Sequence, residues 1–235
     1  MPQGELSLKG TRTMSLIVYG ASLSPFVRKV RIFLAEKGVD YQLEQVNPFS
    51  APPSFAEISP LKRIPAFRDT DLPEPNTLSD SSIICDYLEH KFPNPPLYPK
   101  DNYLRARALW FEEYADSVVA TTIGGGVFFE RIVKKLLGQK TDQAVVESTL
   151  ATKLPPLFDY LEKQIGDNQF FVGNAFSIAD ITIGSMLVNF CHAGECVDSK
   201  LWPKLAAFSD RIQARPSFKA RIEEEMPFIT QLRAA

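Results

Sequence analysis

Histidine and cysteine are nearly missing: two and three residues, respectively, in a chain of 235. His90, His192, Cys85, Cys191 and Cys196 show no ligand spacing and no C-x-x-C pair, so no metal centre is expected. An odd set of cysteines without a pairing pattern fits free thiols in a reducing compartment. A dominant charge is lacking too: 26 basic and 28 acidic side chains leave a net charge of -2. No basic excess stands ready to neutralise phosphates, so nucleic acid is not an expected partner. Long hydrophobic runs are absent. The most apolar stretch, Ile178 to Cys191, carries Asp180 and Asn189 and is too short to cross a bilayer. Residues 1–13 (MPQGELSLKGTRT) have neither the apolar run of a signal peptide nor the arginine-rich face of a transit peptide. They read as a disordered tail, an expression remnant or an upstream start, with Met14 beginning the domain.

What is present is ordinary globular composition, 45% hydrophobic and 23% charged. A chain of this length makes one or two domains and buries roughly 70% of its unfolded surface.

The chain opens as strand, helix, strand. Leu16-Ile17-Val18-Tyr19 before Gly20 is a short buried strand. Ser24-Pro25 is a strong helix start. Phe26, Val27, Val30, Phe33 and Leu34 follow at helical spacing, and Gly38 ends the helix. Tyr41 to Val46 alternates as a second strand, which implies a parallel crossover. Proline-rich loop follows, then short strands over 66–69 and 75–79 around Leu72-Pro73-Glu74-Pro75, and a helix from Asp80 to His90. Phe92-Pro93-Asn94-Pro95-Pro96 ends it as a linker. From residue 101 the pattern is helical: a long helix interrupted by Gly124-Gly125-Gly126, a segment over 143–164 that breaks or kinks at Pro155-Pro156, an apolar helix over 177–192, and helices near 202–214 and 216–224. The division expected is a domain over 14–92, a linker over 93–100 and an all-α domain over 101–235.

Four constellations carry the chemistry. In the first, Ser22 and Ser24 stand where a strand gives way to a helix N-terminus, a place that favours anions. A thiolate is such an anion. Bringing a thiol from a pKa of ~8.5 to ~6.5 takes roughly 2.7 kcal/mol; a hydrogen bond to a charged group supplies ~1.5–3 kcal/mol and a helix terminus ~0.3–1 kcal/mol. One hydroxyl is about sufficient, although Ser24 also reads as a plain helix cap. The second is Ser59-Pro60-Leu61-Lys62-Arg63-Ile64-Pro65. A cis bond before Pro65 turns the Ile64 backbone outward to pair with an extended peptide, and Arg63 is either a solvated charge or faces a carboxylate. In the third, Asp80-Ser81 opens a helix with acid and hydroxyl together, a pair that takes an amine and a carboxylate or simply caps the helix. The fourth, Ser177-Ile-Ala-Asp180, is a capping box with Phe176 as a staple, and we read it as structural.

Taken in order, S-P-F-x-x-K-V-R-x-x-L-x-E-K-G, then P-L-x-R-I-P, then D-S-x-x-I, then S-I-A-D within a helical half, the chain resembles the soluble glutathione transferases. The likeness runs from residue 15 to about residue 225. It implies a thioredoxin-like βαβ-ββα domain that binds glutathione, followed by an all-helical domain for an apolar electrophile. By the same resemblance Ser24 hydrogen-bonds the thiolate, with Ser22 as second choice. Ile64, before a cis Pro65, pairs with the cysteinyl backbone. Asp80 and Ser81 hold the γ-glutamyl end, and Arg63 lies near the glycine carboxylate. The S-P-F spacing is similar to that of tau-like enzymes, and serine stands where omega-like enzymes carry cysteine. A theta- or zeta-like, bacterial or fungal serine-type class stays open. Phe26, Phe49, Tyr114, Phe128 and Phe129 are candidates for the electrophile pocket by location, whereas Tyr19 is core.

The expected activity is conjugation of glutathione to small apolar electrophiles, with glutathione as co-substrate and no metal, in a cytoplasmic homodimer. A glutathione-dependent isomerase or peroxidase and a non-catalytic interaction module share this fold and remain alternatives. A serine hydrolase is disfavoured, because G-A-S-L-S lacks the final glycine of the nucleophile elbow.

Overall fold

The computed structural model describes residues 15–234, so the readings made for residues 1–13 and for Met14 lie outside the described residues. Strand β1 (Leu16–Tyr19) pairs in parallel with β2 (Gln42–Glu44) and antiparallel with β3 (Ala66–Asp69). Strand β4 (Thr77–Ser79) completes the sheet antiparallel to β3, giving the order β2-β1-β3-β4. The register sets Val18 opposite both Leu43 and Phe67, and Val18 and Phe67 are fully buried. Helix α1 (Pro25–Lys37) connects β1 to β2, and α2 (Ser81–Lys91) follows β4. This is the βαβ-ββα arrangement expected. The strands are shorter than expected: Tyr41 and Gln45 fall outside β2, and β4 begins only at Thr77.

Gly20 lets the chain turn from β1 into α1. A Cβ at this position would fall 2.4 Å from Val27 Cγ2, far inside carbon–carbon contact distance. The Gly20 backbone therefore packs directly against Val27 of the helix.

The second half is helical. Helix α3 (Asn102–Tyr114) is capped by Asp101, which accepts from the Tyr103 and Leu104 N–H groups. It runs on as a π-helical stretch, Ala115–Val133, and a last turn, α4 (Lys134–Leu136). The glycines at 124–126 do not interrupt this helix, contrary to expectation; they lie inside it. The reason is packing. Val119, Ile123 and Val127 are fully buried on either side of the glycines, and tertiary burial outweighs a propensity cost of about 1 kcal/mol per glycine. Helix α5 (Gln143–Ser148), a second wide turn (Thr149–Lys153) and α6 (Leu154–Ile165) are likewise continuous. The expected break at Pro155-Pro156 is absent: the carbonyls that these prolines leave free belong to exposed Ala151 and Thr152 and are open to water, while buried Leu154, Leu157 and Phe158 anchor the helix on its other face.

Helix α7 (Ile178–His192) is buried along nearly its whole length. Asp180 Oδ2 accepts from the Ser177 N–H at 2.9 Å and its Oδ1 from the Phe171 N–H at 2.9 Å, the structural role expected. Helix α8 (Pro203–Gln213) precedes α9 (Pro216–Ala234). The latter runs ten residues past the expected end at 224, straight through Pro227. The carbonyl that Pro227 leaves free belongs to exposed Glu223 and is open to water, while buried Ile229 anchors the next turn.

Gly126 and Gly125 should respond in opposite ways to alanine. A Cβ at Gly126 would lie 2.5 Å from Thr149 Oγ1 and 3.0 Å from Thr149 Cβ, whereas one at Gly125 meets nothing within 4 Å. Urea denaturation is expected to show Gly126→Ala destabilised by about 1–3 kcal/mol and Gly125→Ala stabilised by up to about 1 kcal/mol.

Candidate functional site

A cleft of about 1640 Å³ opens between the two halves. The N-termini of α1 and α2 both face it, through Ser24 and Asp80. Ser24 is the N-cap of α1, and its Oγ accepts from the Val27 N–H at a long 3.4 Å. Among the described residues its hydroxyl hydrogen has no acceptor. Ser22 also lines the cleft, but its hydroxyl is committed. It donates to Glu224 Oε1 at 3.1 Å and accepts from Arg31 Nη1 at 3.2 Å.

Asp80 caps α2, accepting from the Ser82 N–H at 2.9 Å and the Ile83 N–H at 3.3 Å. Its φ of +94° lies in the left-handed region, an arrangement that costs a non-glycine residue about 1–3 kcal/mol. Ser81 is buried and accepts from Lys29 Nζ at 3.3 Å. Lys29 has no solvent contact and sits 2.6 Å from Glu112 Oε1 and 2.7 Å from Asp116 Oδ2. Burial alone would lower its pKa, but the two carboxylates outweigh it and the ammonium is held well above its ordinary value. Burial pushes the Asp116 carboxyl up, against the pull of Lys29.

Along one edge run Lys62, Arg63, Ile64 and Pro65. The Ile64–Pro65 bond is cis. Ser59 ties this loop to itself, donating to the Arg63 carbonyl at 2.8 Å and accepting from the Arg63 N–H at 3.1 Å. Part of the lining is apolar. Phe26, Phe49, Phe128 and Phe129 line it as expected by location. Tyr114 does not, and that expectation is corrected. It sits at the end of α3 on the face turned toward α6, its ring 4.9 Å from Tyr160 and 6.1 Å from Trp110. Tyr19 is buried against Phe55, in the core as expected.

Sequence reasoning missed the floor of the cleft. Arg28, fully buried on α1, sends Nη2 to Glu225 Oε2 at 2.7 Å and Nη1 to Asn189 Oδ1 at 2.6 Å. His192 Nε2 lies 2.7 Å from the same Glu225 oxygen. Burial would raise the Glu225 carboxyl, but the Arg28 charge and the His192 contact outweigh it and hold it below the usual range. Burial, helped by Arg28 and Arg233, lowers His192 against the pull of Glu225. Separations near 160 to 200 residues left no local signal for this cluster. A buried-looking helix holding an asparagine and a histidine, opposite an arginine on an apolar face, was the only trace. Among the described residues no group of three or more potential ligands could hold a metal, and no helix is long and apolar enough to cross a membrane.

The fold and the cleft define a two-domain protein with a thioredoxin-like half and an apolar helical half. Residues 18–96 match the family model described as glutathione S-transferase, N-terminal domain, and residues 128–225 match the C-terminal domain model. A glutathione S-transferase of Triticum aestivum is 30% identical over 217 residues, 92% of this chain and 96% of the relative. A stringent starvation protein A homolog of Haemophilus ducreyi is 43% identical over 204 residues, 86% and 87% of the two chains. The solved glutathione S-transferase of Methylobacterium radiotolerans, in complex with glutathione sulfonate, superposes with a TM-score of 0.71 at 29% identity and covers 88% of this chain and 94% of its own. The chain belongs to the glutathione S-transferase family.

His192 gives a checkable pH dependence. Its folded pKa lies below the ordinary 6.5, so the folded state binds fewer protons than the unfolded one. Its contribution to stability is present above pH 6.5 and is lost as pH falls through the folded value. Denaturation midpoints are expected to fall as pH drops below 6.5, and a His192→Gln variant should show a shallower fall.

Proposed function

We propose that this protein conjugates the thiolate of glutathione to small apolar electrophiles, with the Ser24 hydroxyl donating to the sulfur. One observation carries this reading. Of the two serines in the turn, only Ser24 combines a position at the α1 N-terminus with an uncommitted hydroxyl hydrogen. The hydroxyl and the helix end together favour a bound negative charge. In this reading the Ile64 backbone next to cis Pro65 pairs with the cysteinyl residue, and Asp80 and Ser81 hold the γ-glutamyl end. Arg63, with Lys62 beside it, meets the glycine carboxylate, and Phe26, Phe49 and Phe128 face the electrophile. The residues fit glutathione: a cationic edge, an extended stretch of backbone and an acidic helix cap surround a cleft roomier than the usual ~300–1,000 Å³ of a small-molecule site.

Conjugation is favoured over a glutathione-dependent isomerase or peroxidase and over a non-catalytic module by the relatives named glutathione S-transferase. We further read the protein as cytoplasmic and homodimeric. Exposed Tyr103, Leu109, Trp110 and Val118 on α3 and the segment after it support an interface between copies; light scattering is expected to give twice the 26.3 kDa chain mass.

Ser24→Ala is expected to lower kcat by about 10- to 150-fold, the range of one hydrogen bond to a charged group. Glutathione affinity should change far less, and the pKa of the bound thiol, read by ultraviolet absorbance of the thiolate, should rise. Ser22→Ala should leave that pKa in place. A Ser24→Ala enzyme with wild-type turnover would move the role to Ser22 or remove it.

A further inference from the structure

A second cavity, of about 510 Å³, lies where the C-terminal end of α1 and the turn into β2 meet α9. Glu224 alone of its lining residues also lines the cleft. Arg31, Tyr41 and Arg221 form one part of it. The Tyr41 hydroxyl accepts from Arg31 Nε at 2.7 Å and from Arg221 Nη1 at 3.1 Å. A guanidinium only donates, so neither arginine takes the phenol hydrogen in return. That hydrogen has no acceptor among the described residues. Glu224 answers Arg31, accepting from Nη2 at 2.8 Å and from Nη1 at 3.0 Å. Arg221 reaches the same Glu224 no closer than 3.6 Å. Its Nε is enclosed, but Nη2 is not, and Nη2 has no hydrogen-bond partner among the described residues. One carboxylate thus serves two guanidiniums, and a positive charge is left over.

The same cavity holds the opposite charge. Asp40 lines it from the turn after α1, exposed and without an ion-pair partner among the described residues. The negative end of the α1 dipole adds to it. Asp40 and Arg221 therefore share one cavity without pairing to each other. Ala35, Val39 and Leu43 supply apolar lining, and the volume is that of a small-molecule site. We infer that this cavity binds a free α-amino acid with an aliphatic side chain. The carboxylate sits on Arg221 Nη2 and takes the Tyr41 hydrogen. The ammonium faces Asp40, and the side chain lies against Val39 and Leu43. A plain anion would bring a second negative charge beside Asp40, and a plain amine would meet two guanidiniums. A zwitterion satisfies both, and its charged hydrogen bonds are the stronger kind. Each exposed ion pair alone is weak; one ligand making both loses its freedom only once. The site stands apart from the transferase reading and does not rest on it.

Titration calorimetry tests this with three probes of one carbon skeleton: leucine, isocaproate, which lacks the amine, and isoamylamine, which lacks the carboxylate. Saturating glutathione is present throughout, so that any amine and carboxylate subsites of the cleft are taken. Leucine is expected to bind saturably and about tenfold or more tighter than either half-molecule. Arg221→Gln should weaken leucine by about tenfold. Asp40→Asn, at an exposed position where the fold has nothing to lose, should bring leucine down to the affinity of isocaproate. Isocaproate binding the wild-type protein as tightly as leucine overturns the amino-acid assignment. Absence of saturable leucine binding, or a leucine Kd within twofold of wild type in either variant, overturns the site. Should glutathione itself fail to bind, the transferase reading falls, while the two variants still decide this cavity.

Discussion

Arg28 holds the two halves of this protein together. Its guanidinium leaves α1 one turn after Ser24 and is enclosed by Glu225 from α9 and by Asn189 and the Ser185 carbonyl from α7. Removing one partner from such a fully buried pair typically costs about 3–5 kcal/mol, because an uncompensated charge is left in a low-dielectric interior. The pair fixes where the α1 N-terminus stands relative to the helical half. The cleft exists because that placement leaves space between them.

Electrostatics then differentiates the cleft along its length. Two helix N-termini meet at one end, each favouring negative charge. Buried Lys29 links Ser81 and Ser82 to Asp116 on the π-helical stretch, so the acidic cap at Asp80 and the helical half share one hydrogen-bonded network. Lys62 and Arg63 give the opposite edge a positive character. In the reading proposed above, these charges meet the amine and two carboxylates of a thiol-bearing tripeptide. Beyond it the wall turns apolar, which suits a second, uncharged reactant.

Much of this was legible in the chain itself. The short apolar run Leu16–Tyr19 and the S-P helix start placed β1, α1 and the turn between them, because those signals act within a few residues. The Ser177–Asp180 box is equally local, and it formed as read. Local signals failed where packing overruled them. The triple glycine stayed helical between buried aliphatic residues, Pro155-Pro156 stayed inside a continuous helix, and α9 ran through Pro227 because Ile229 is buried beyond it. Tyr114 looked like a cleft residue by its place in the order of elements; its helical face turned it to Tyr160 instead.

The sequence by itself determined the elements, their order and the chemistry at each helix start, since capping, periodicity and turn residues are short-range properties of the chain. Tertiary structure alone decided which hydroxyl of the turn is free, because Ser22 is taken by Glu224, a residue 202 positions away. It also decided what forms the cleft floor. Arg28, Asn189, His192 and Glu225 meet only when α1, α7 and α9 pack together, and nothing in their local sequence distinguishes a buried ion network from a scatter of surface charges.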